Sequence, residues 1–152
     1  MKNYLLAYLK VAPFSLAFLR AVECRLLSKY KMPSPLLDIG CGDGVFAKIF
    51  FSSAKQNRKV YGLDMNLKEI ELARKSGAYY KVKMGDALDK PFKDNFFSTV
   101  FTNSVLEHTY SLHLSLKEIA RVLKPGGKLY VTIPSDRFTK ELFFTKLFTK
   151  LN

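Results

Sequence analysis

Leu36-Leu-Asp-Ile-Gly-Cys-Gly-Asp-Gly44 is the stretch on which the reading of the whole chain turns. A short apolar run stops at glycine, as a buried parallel strand does where it gives way to a turn. Gly40, Gly42 and Gly44 fall within five positions, so the backbone can turn sharply and approach a ligand with no Cβ in the way. The helical pattern beginning at Val45 puts free N–H groups at the end of this loop, which favours a negative or electron-rich ligand. A dinucleotide fingerprint, Gly-x-Gly-x-x-Gly, would need glycine at position 45; Val45 stands there, which disfavours a nicotinamide dehydrogenase.

Outward from this loop the pattern alternates between strand and helix. Lys59–Leu63, Tyr79–Met84, Phe97–Thr102 and Lys128–Ile133 read as further strands. Val45–Ser52, Leu67–Lys75, Leu112–Leu123 and Asp136–Lys150 read as helices, with Asn66 as an N-cap and Pro125-Gly126-Gly127 as a stop. Such alternation predicts an α/β fold: a Rossmann-like parallel sheet of about five strands with helices on both faces. Ligands in such sheets bind at the carboxyl ends of the strands. Before the first strand, residues 1–34 read as an N-terminal helical extension split at Pro13, with Phe14, Phe18, Val22, Leu26 and Tyr30 at helical spacing. Residues 35–152 form the sheet domain.

Composition sets the outer limits. The 152 residues are 48% hydrophobic and 25% charged, enough for one domain with an ordinary core. Two cysteines, Cys24 and Cys41, make neither a metal-ligand spacing nor a disulfide framework, so a cytoplasmic, reducing setting is expected and no metal site. The apolar run from Tyr4 to Val22 is broken by Lys10, Pro13 and Arg20, which excludes a spanning helix of about 20 apolar residues. The net charge of +12 is concentrated at the ends. Residues 1–35 hold six basic residues against one acidic, and residues 124–152 hold six against two. Solvated helical faces explain such an excess most simply; the alternative is attraction to an anionic partner.

Two acids follow later strands. Asp64, in Gly62-Leu-Asp64, lies 26 positions after Asp38, near where a ribose-binding carboxylate falls in a nucleotide-binding βαβ unit. Asp86, in Gly85-Asp86-Ala87, can accept from an adenine amino group. With these motifs in order, the chain resembles the class I S-adenosylmethionine-dependent methyltransferases. Leu36–Gly44 is similar to their first motif; Gly62–Asp64, Gly85–Ala87 and Leu123-Lys-Pro-Gly-Gly127 are similar to later landmarks. Phe97–His108, with Ser104-Val-Leu-Glu-His108, resembles the fourth-strand segment of the type 11 branch.

The resemblance implies strand order 3-2-1-4-5, S-adenosyl-L-methionine as cofactor, and methyl transfer to a small-molecule or lipid-like acceptor. It implies that Gly40, Gly42 and Gly44 line the methionine moiety with Asp38 orienting the loop. It also implies that Asp64 holds the ribose, that Asp86 and Ala87 meet the adenine, and that Asn103 sits beside the cofactor at the mouth of the acceptor site. Cys41 and Met65 complete the expected contacts, Cys41 also being a small packing residue. A base is needed only if the acceptor must lose a proton, and His108 is the candidate; a structural hydrogen bond at a helix start is the plainer expectation. Thr102-Asn-Ser-Val-Leu-Glu107 lacks the Asp/Asn-Pro-Pro-aromatic motif of enzymes that methylate amino groups of nucleic-acid bases, which argues against that chemistry but leaves other RNA acceptors open.

The family sheet has seven strands, whereas this sequence ends at Asn152, one helix after the fifth. The fifth strand is therefore expected as an apolar edge, covered by a partner or by the C-terminal helix. The alternative function is a truncated, non-catalytic cofactor-binding module acting with a partner. Both ends are basic and aromatic: Tyr4, Tyr8, Phe14 and Phe18, then Phe138, Phe143, Phe144 and Phe148. The simpler expectation is that these aromatic stripes pack on the sheet. The other is that they border an acceptor cleft for an anionic or lipid-like molecule reached by peripheral membrane contact.

Overall fold

The computed structural model describes residues 3–51, 59–86, 88 and 91–133. Two helices, α1 (Tyr4–Leu9) and α2 (Phe14–Leu27), precede an alternating series. It runs β1 (Leu36–Ile39), α3 (Val45–Phe51), β2 (Val60–Asp64), α4 (Leu67–Ser76), β3 (Lys81–Met84), β4 (Phe97–Asn103), α5 (Leu112–Val122) and β5 (Leu123–Thr132). A single 3-10 turn at Leu106–His108, absent from the sequence reading, follows β4. The five strands are parallel in the order β3-β2-β1-β4-β5, as expected. The C-terminal helix expected at Asp136–Lys150, and Ser52 at the end of the first expected helix, lie outside the described residues.

β1 is central and wholly buried, paired with β2 on one side and β4 on the other. Its run of apolar residues follows from having a covered face on both sides. One face carries α1, α2 and α3. There Tyr8, Ala17, Cys24 and Leu27 join Leu36, Ala47, Phe50, Val60 and Phe101 in one core. On the other face Leu37, Ile39, Leu63, Phe97 and Val100 pack against Ile119 and Val122 of α5. Helix ends follow their local chemistry. The Asn66 side chain accepts from Lys68 N–H at 3.0 Å, and α4 stops at Gly77.

Three expectations are corrected. β3 begins at Lys81, opposite Tyr61, and Tyr79 before it turns its hydroxyl toward Asp38. β5 begins at Leu123, directly after α5: Leu123 lies opposite Phe97, and Pro125-Gly126-Gly127 forms an irregularity before pairing resumes at Lys128 opposite Thr99. Finally, Phe14, Phe18, Val22 and Leu26 do not pack on the sheet, whereas Tyr30 meets Tyr130 of β5 with ring centres 5.7 Å apart. All five are exposed, and α2 turns its small and medium side chains Ala17, Cys24 and Leu27 inward instead, while Tyr8 of α1 is buried as expected. Ala17, Cys24 and Leu27 thereby join the core that also holds Ala47 and Phe50 of α3 and Leu36 of β1.

Candidate functional site

The carboxyl ends of β1, β2 and β4 meet at the glycine loop. The amides of Gly40 and Cys41 both donate to the Leu63 carbonyl, at 2.8 and 3.0 Å. The Gly42 amide donates to Asp64 Oδ2 at 2.9 Å, and the Asn66 amide to Asp64 Oδ1 at 2.9 Å. Asp64 therefore braces the loop, and each of its oxygens retains a further lone pair for a ligand. Gly40 has φ +71°, and a Cβ there would stand 2.2 Å from a Val105 methyl. Gly44, at φ +80°, has a different partner: a Cβ would come within 2.7 Å of Ser76 Oγ.

Asp38 is the charged exception in a buried strand, level with Gly62 of β2 and Phe101 of β4. Burial pushes its carboxyl up to about 7; the Tyr79 hydroxyl, donating to Oδ2 at 2.7 Å, opposes the rise, and the nearby Asp64 carboxylate adds to it. Tyr79 also donates to the Cys41 carbonyl at 3.3 Å, and burial with the charge of Asp38 raises its own phenol well above the ordinary range. The Cys41 thiol packs among Ile70, Ala73 and Val82, and burial pushes it up as well, so it is held as a neutral packing group.

Two cavities open at this end of the sheet. One, of about 400 Å³, is lined by Leu63, Asp64, Met65, Asp86, Val105 and His108 among others. The second, of about 250 Å³, is lined by Asp38, Gly42, Arg20, Phe46, Asn103 and the α1–α2 corner residues Val11 and Leu16 among others. Gly40 lines both. The first has carboxylates in its lining, Asp64 and Asp86, and the second a mixed polar, aromatic and cationic one.

Asn103, at the end of β4, is held from three sides. Its Nδ2 donates to Glu23 Oε2 at 3.3 Å, while its Oδ1 accepts from Thr132 Oγ1 at 2.6 Å and from Ser104 Oγ at 3.2 Å. Glu23 in turn accepts from the Arg20 guanidinium at 2.8 Å, and that guanidinium lies 5.9 Å from the centre of the Phe46 ring. Ser104 takes a left-handed backbone, φ +54°, at the turn out of β4.

Of the residues singled out in the sequence, the structure brings Asp38, Gly40, Cys41, Gly42 and Asn103 to the second cavity. It brings Asp64, Met65, Asp86 and His108 to the first. Gly44 is absent from both linings and serves packing against Ser76 and Tyr79. Ala87 lies outside the described residues. Arg20, Glu23, Tyr79 and Val105 were missed. The net positive charge of residues 1–35 hinted at Arg20, but nothing local marks Tyr79, whose partner is 41 positions away.

This fold and this site define the S-adenosylmethionine-dependent methyltransferase class. The chain belongs to the methyltransferase domain family, whose model matches residues 37–131. It is 33% identical over 118 residues to the demethylmenaquinone methyltransferase of Symbiobacterium thermophilum, covering 72% of this chain and 47% of that protein. It is 32% identical over 114 residues to a Bos taurus protein named probable tRNA methyltransferase 9B, covering 72% of this chain and 23% of that one. Among solved structures, a SAM-dependent methyltransferase from Thermotoga maritima superimposes with a TM-score of 0.69 at 28% identity, covering 88% of this chain and 58% of that chain. The chain thus spans about half or less of the curated relatives it matches.

Proposed function

We propose that the chain binds S-adenosylmethionine across Gly40 and supports methyl transfer to an apolar, lipid-like small molecule. The observation that carries this reading is that Gly40 lines both cavities. A ligand with a nucleoside at one end and an amino acid at the other suits a site with carboxylates beyond Gly40 on one side and a mixed-charge pocket on the other. The residues present fit that cofactor. At Gly40 a side chain would displace Val105, so the backbone at the middle of the site stays bare.

When bound, the cofactor supplies a methyl group activated by a positively charged sulfur. The chain's own contribution is placement. Asp64, braced by the Gly42 and Asn66 amides, accepts from the ribose hydroxyls, and Asp86 accepts from the adenine amino group. Arg20 and Asp38 flank the amino-acid end. Asn103, fixed by Glu23, Thr132 and Ser104, holds the floor where the acceptor meets the methyl group. Alignment and exclusion of water can then supply most of the rate. His108 lines the nucleoside cavity, which supports a cofactor contact for it in preference to the general-base role.

An apolar acceptor is favoured by Val11 and Leu16, exposed at the mouth of the second cavity, and by the quinone named in one relative. The test is calorimetric titration with S-adenosylmethionine and S-adenosylhomocysteine, with NAD as control, followed by product analysis with a prenylated phenol and with tRNA. Micromolar binding of both sulfur compounds and none of NAD is expected, with label transferred to the phenol. Label on tRNA would overturn the acceptor class, cofactor binding without transfer to either acceptor would leave the non-catalytic cofactor-binding module as the better account, and absence of cofactor binding by the folded chain would overturn both.

A further inference from the structure

α2 turns an apolar stripe outward. Phe14 and Phe18, 58% and 55% exposed, stack on each other with ring centres 6.4 Å apart. Val22 and Leu26 extend the same face, and Leu6, Leu9 and Val11 continue it across α1 and the corner. A groove of about 710 Å³ runs between the two helices, lined by Tyr4, Leu5, Phe18 and Val22, with Arg25 and Lys29 also in its wall. Exposed apolar side chains gathered on two packed helices mark a surface that binds something.

Charge identifies what. Lys10, Arg25, Lys29 and Lys31 are exposed around this face. The one acid in residues 1–35, Glu23, is bound to Arg20 and Asn103 and turned toward the second cavity. Aromatic and aliphatic side chains ringed by cations, with no opposing carboxylate, complement a surface that is apolar beneath and anionic on top. Position supplies the second argument. Val11 and Leu16 belong to both the exposed corner and the lining of the cavity that ends at Asp38, Gly40 and Asn103.

We propose that the outward face of α1 and α2 docks on an anionic lipid bilayer and passes a lipid-like acceptor from it into the Asn103 cavity. This rests on the acceptor class proposed above. Docking lets the acceptor leave the bilayer along Val11 and Leu16 without crossing water, and the cations set the orientation that faces the cavity mouth to the membrane.

The test is co-sedimentation of the full chain with vesicles of phosphatidylcholine alone or mixed with phosphatidylglycerol, at low and raised salt. Partition into the anionic vesicles is expected to exceed that into neutral ones by on the order of 100-fold or more and to fall as salt rises. At about 1 kcal/mol per cation near the surface, roughly fivefold each, the combined variant K10Q, R25Q, K29Q should lose on the order of 100-fold. The exposed pair F14S, F18S should lose on the order of tenfold or more from the apolar contribution. Both variants should bind S-adenosylhomocysteine by calorimetry as the parent does. Equal partition into neutral and anionic vesicles overturns the proposal. So does a dimer in sedimentation equilibrium that F14S, F18S abolishes, which would make the face a contact between copies. Preference for tRNA over anionic vesicles overturns it as well. Retained cofactor binding in any of these cases leaves the methyltransferase reading standing, whereas its loss in the parent chain removes that reading independently.

Discussion

The Gly42 amide donates to Asp64 Oδ2 at 2.9 Å, tying the glycine loop after β1 to the last residue of β2. The carboxylate expected to grip a ribose is thus also the brace of the loop under the cofactor. Asp64→Asn keeps the shape but removes the charge, and its single oxygen can accept from only one of the two amides, Gly42 or Asn66, that the carboxylate serves. Losing charge-assisted hydrogen bonds of about 1.5–3 kcal/mol should weaken S-adenosylmethionine and S-adenosylhomocysteine alike by roughly 10- to 100-fold, read by calorimetry, while the amide left without an acceptor should cost about 1 kcal/mol of stability, read as a lowered urea midpoint. Unaltered affinity would show that Asp64 holds the loop and no ligand.

Stability should depend on pH through Asp38. Its folded-state pKa is raised from 3.8 to about 7, so the folded chain binds the proton more tightly than the unfolded one. The contribution is complete below about pH 3.8 and is lost as pH rises to about 7. At about 1.36 kcal/mol per pH unit, the whole window is worth on the order of 4 kcal/mol. Urea midpoints measured across it should fall with rising pH more steeply in the parent than in Asp38→Asn. Tyr79→Phe removes the hydrogen bond that holds the carboxyl down, and should carry the falling limb to higher pH.

Gly40→Ala combines a left-handed backbone with a Cβ 2.2 Å from a Val105 methyl. Strain and overpacking together should cost about 2–5 kcal/mol and abolish cofactor binding. Val105→Ala in the same chain should recover the steric part and leave about 1–2 kcal/mol for the backbone. Denaturant unfolding of the two single variants and the double variant gives the coupling energy; strict additivity would disprove the contact.

The Thr102 hydroxyl, fully buried in β4, is the one buried side-chain polar atom without a hydrogen-bond partner among the described residues. Thr102→Val replaces an unpaired hydroxyl with a methyl group of similar shape. It should stabilise the chain by about 1 kcal/mol, seen as a raised urea midpoint at constant slope.

Local features of the sequence were a good guide where the determining chemistry is itself local. Leu36–Ile39 announces a central strand because both its faces are covered, and three nearby glycines announce a loop against which something packs closely. The sheet's edges and the partners across it are another matter. Tyr79 reaches Asp38 only because β3 begins two residues later than its apolar pattern suggests. Gly44 has the same spacing signal as Gly40 and Gly42, yet its missing Cβ makes room for Ser76; spacing alone does not say which side is crowded. In α2 two stripes share helical periodicity, and periodicity cannot choose between them. Ala17 and Cys24 face inward, in the core shared with Tyr8 and Leu36, and the bulkier Phe14 and Phe18 are turned out.

The buried pair of Asp38 and Tyr79 also makes the site a proton reservoir. A carboxyl poised near neutrality beside a cavity must surrender its proton when a cation settles next to it. Ligand affinity then climbs with pH across the same interval in which the empty chain grows less stable. The heat of binding likewise carries a share from whichever buffer takes up that proton, so titrations run in phosphate and in Tris at one pH should differ in enthalpy while agreeing in affinity.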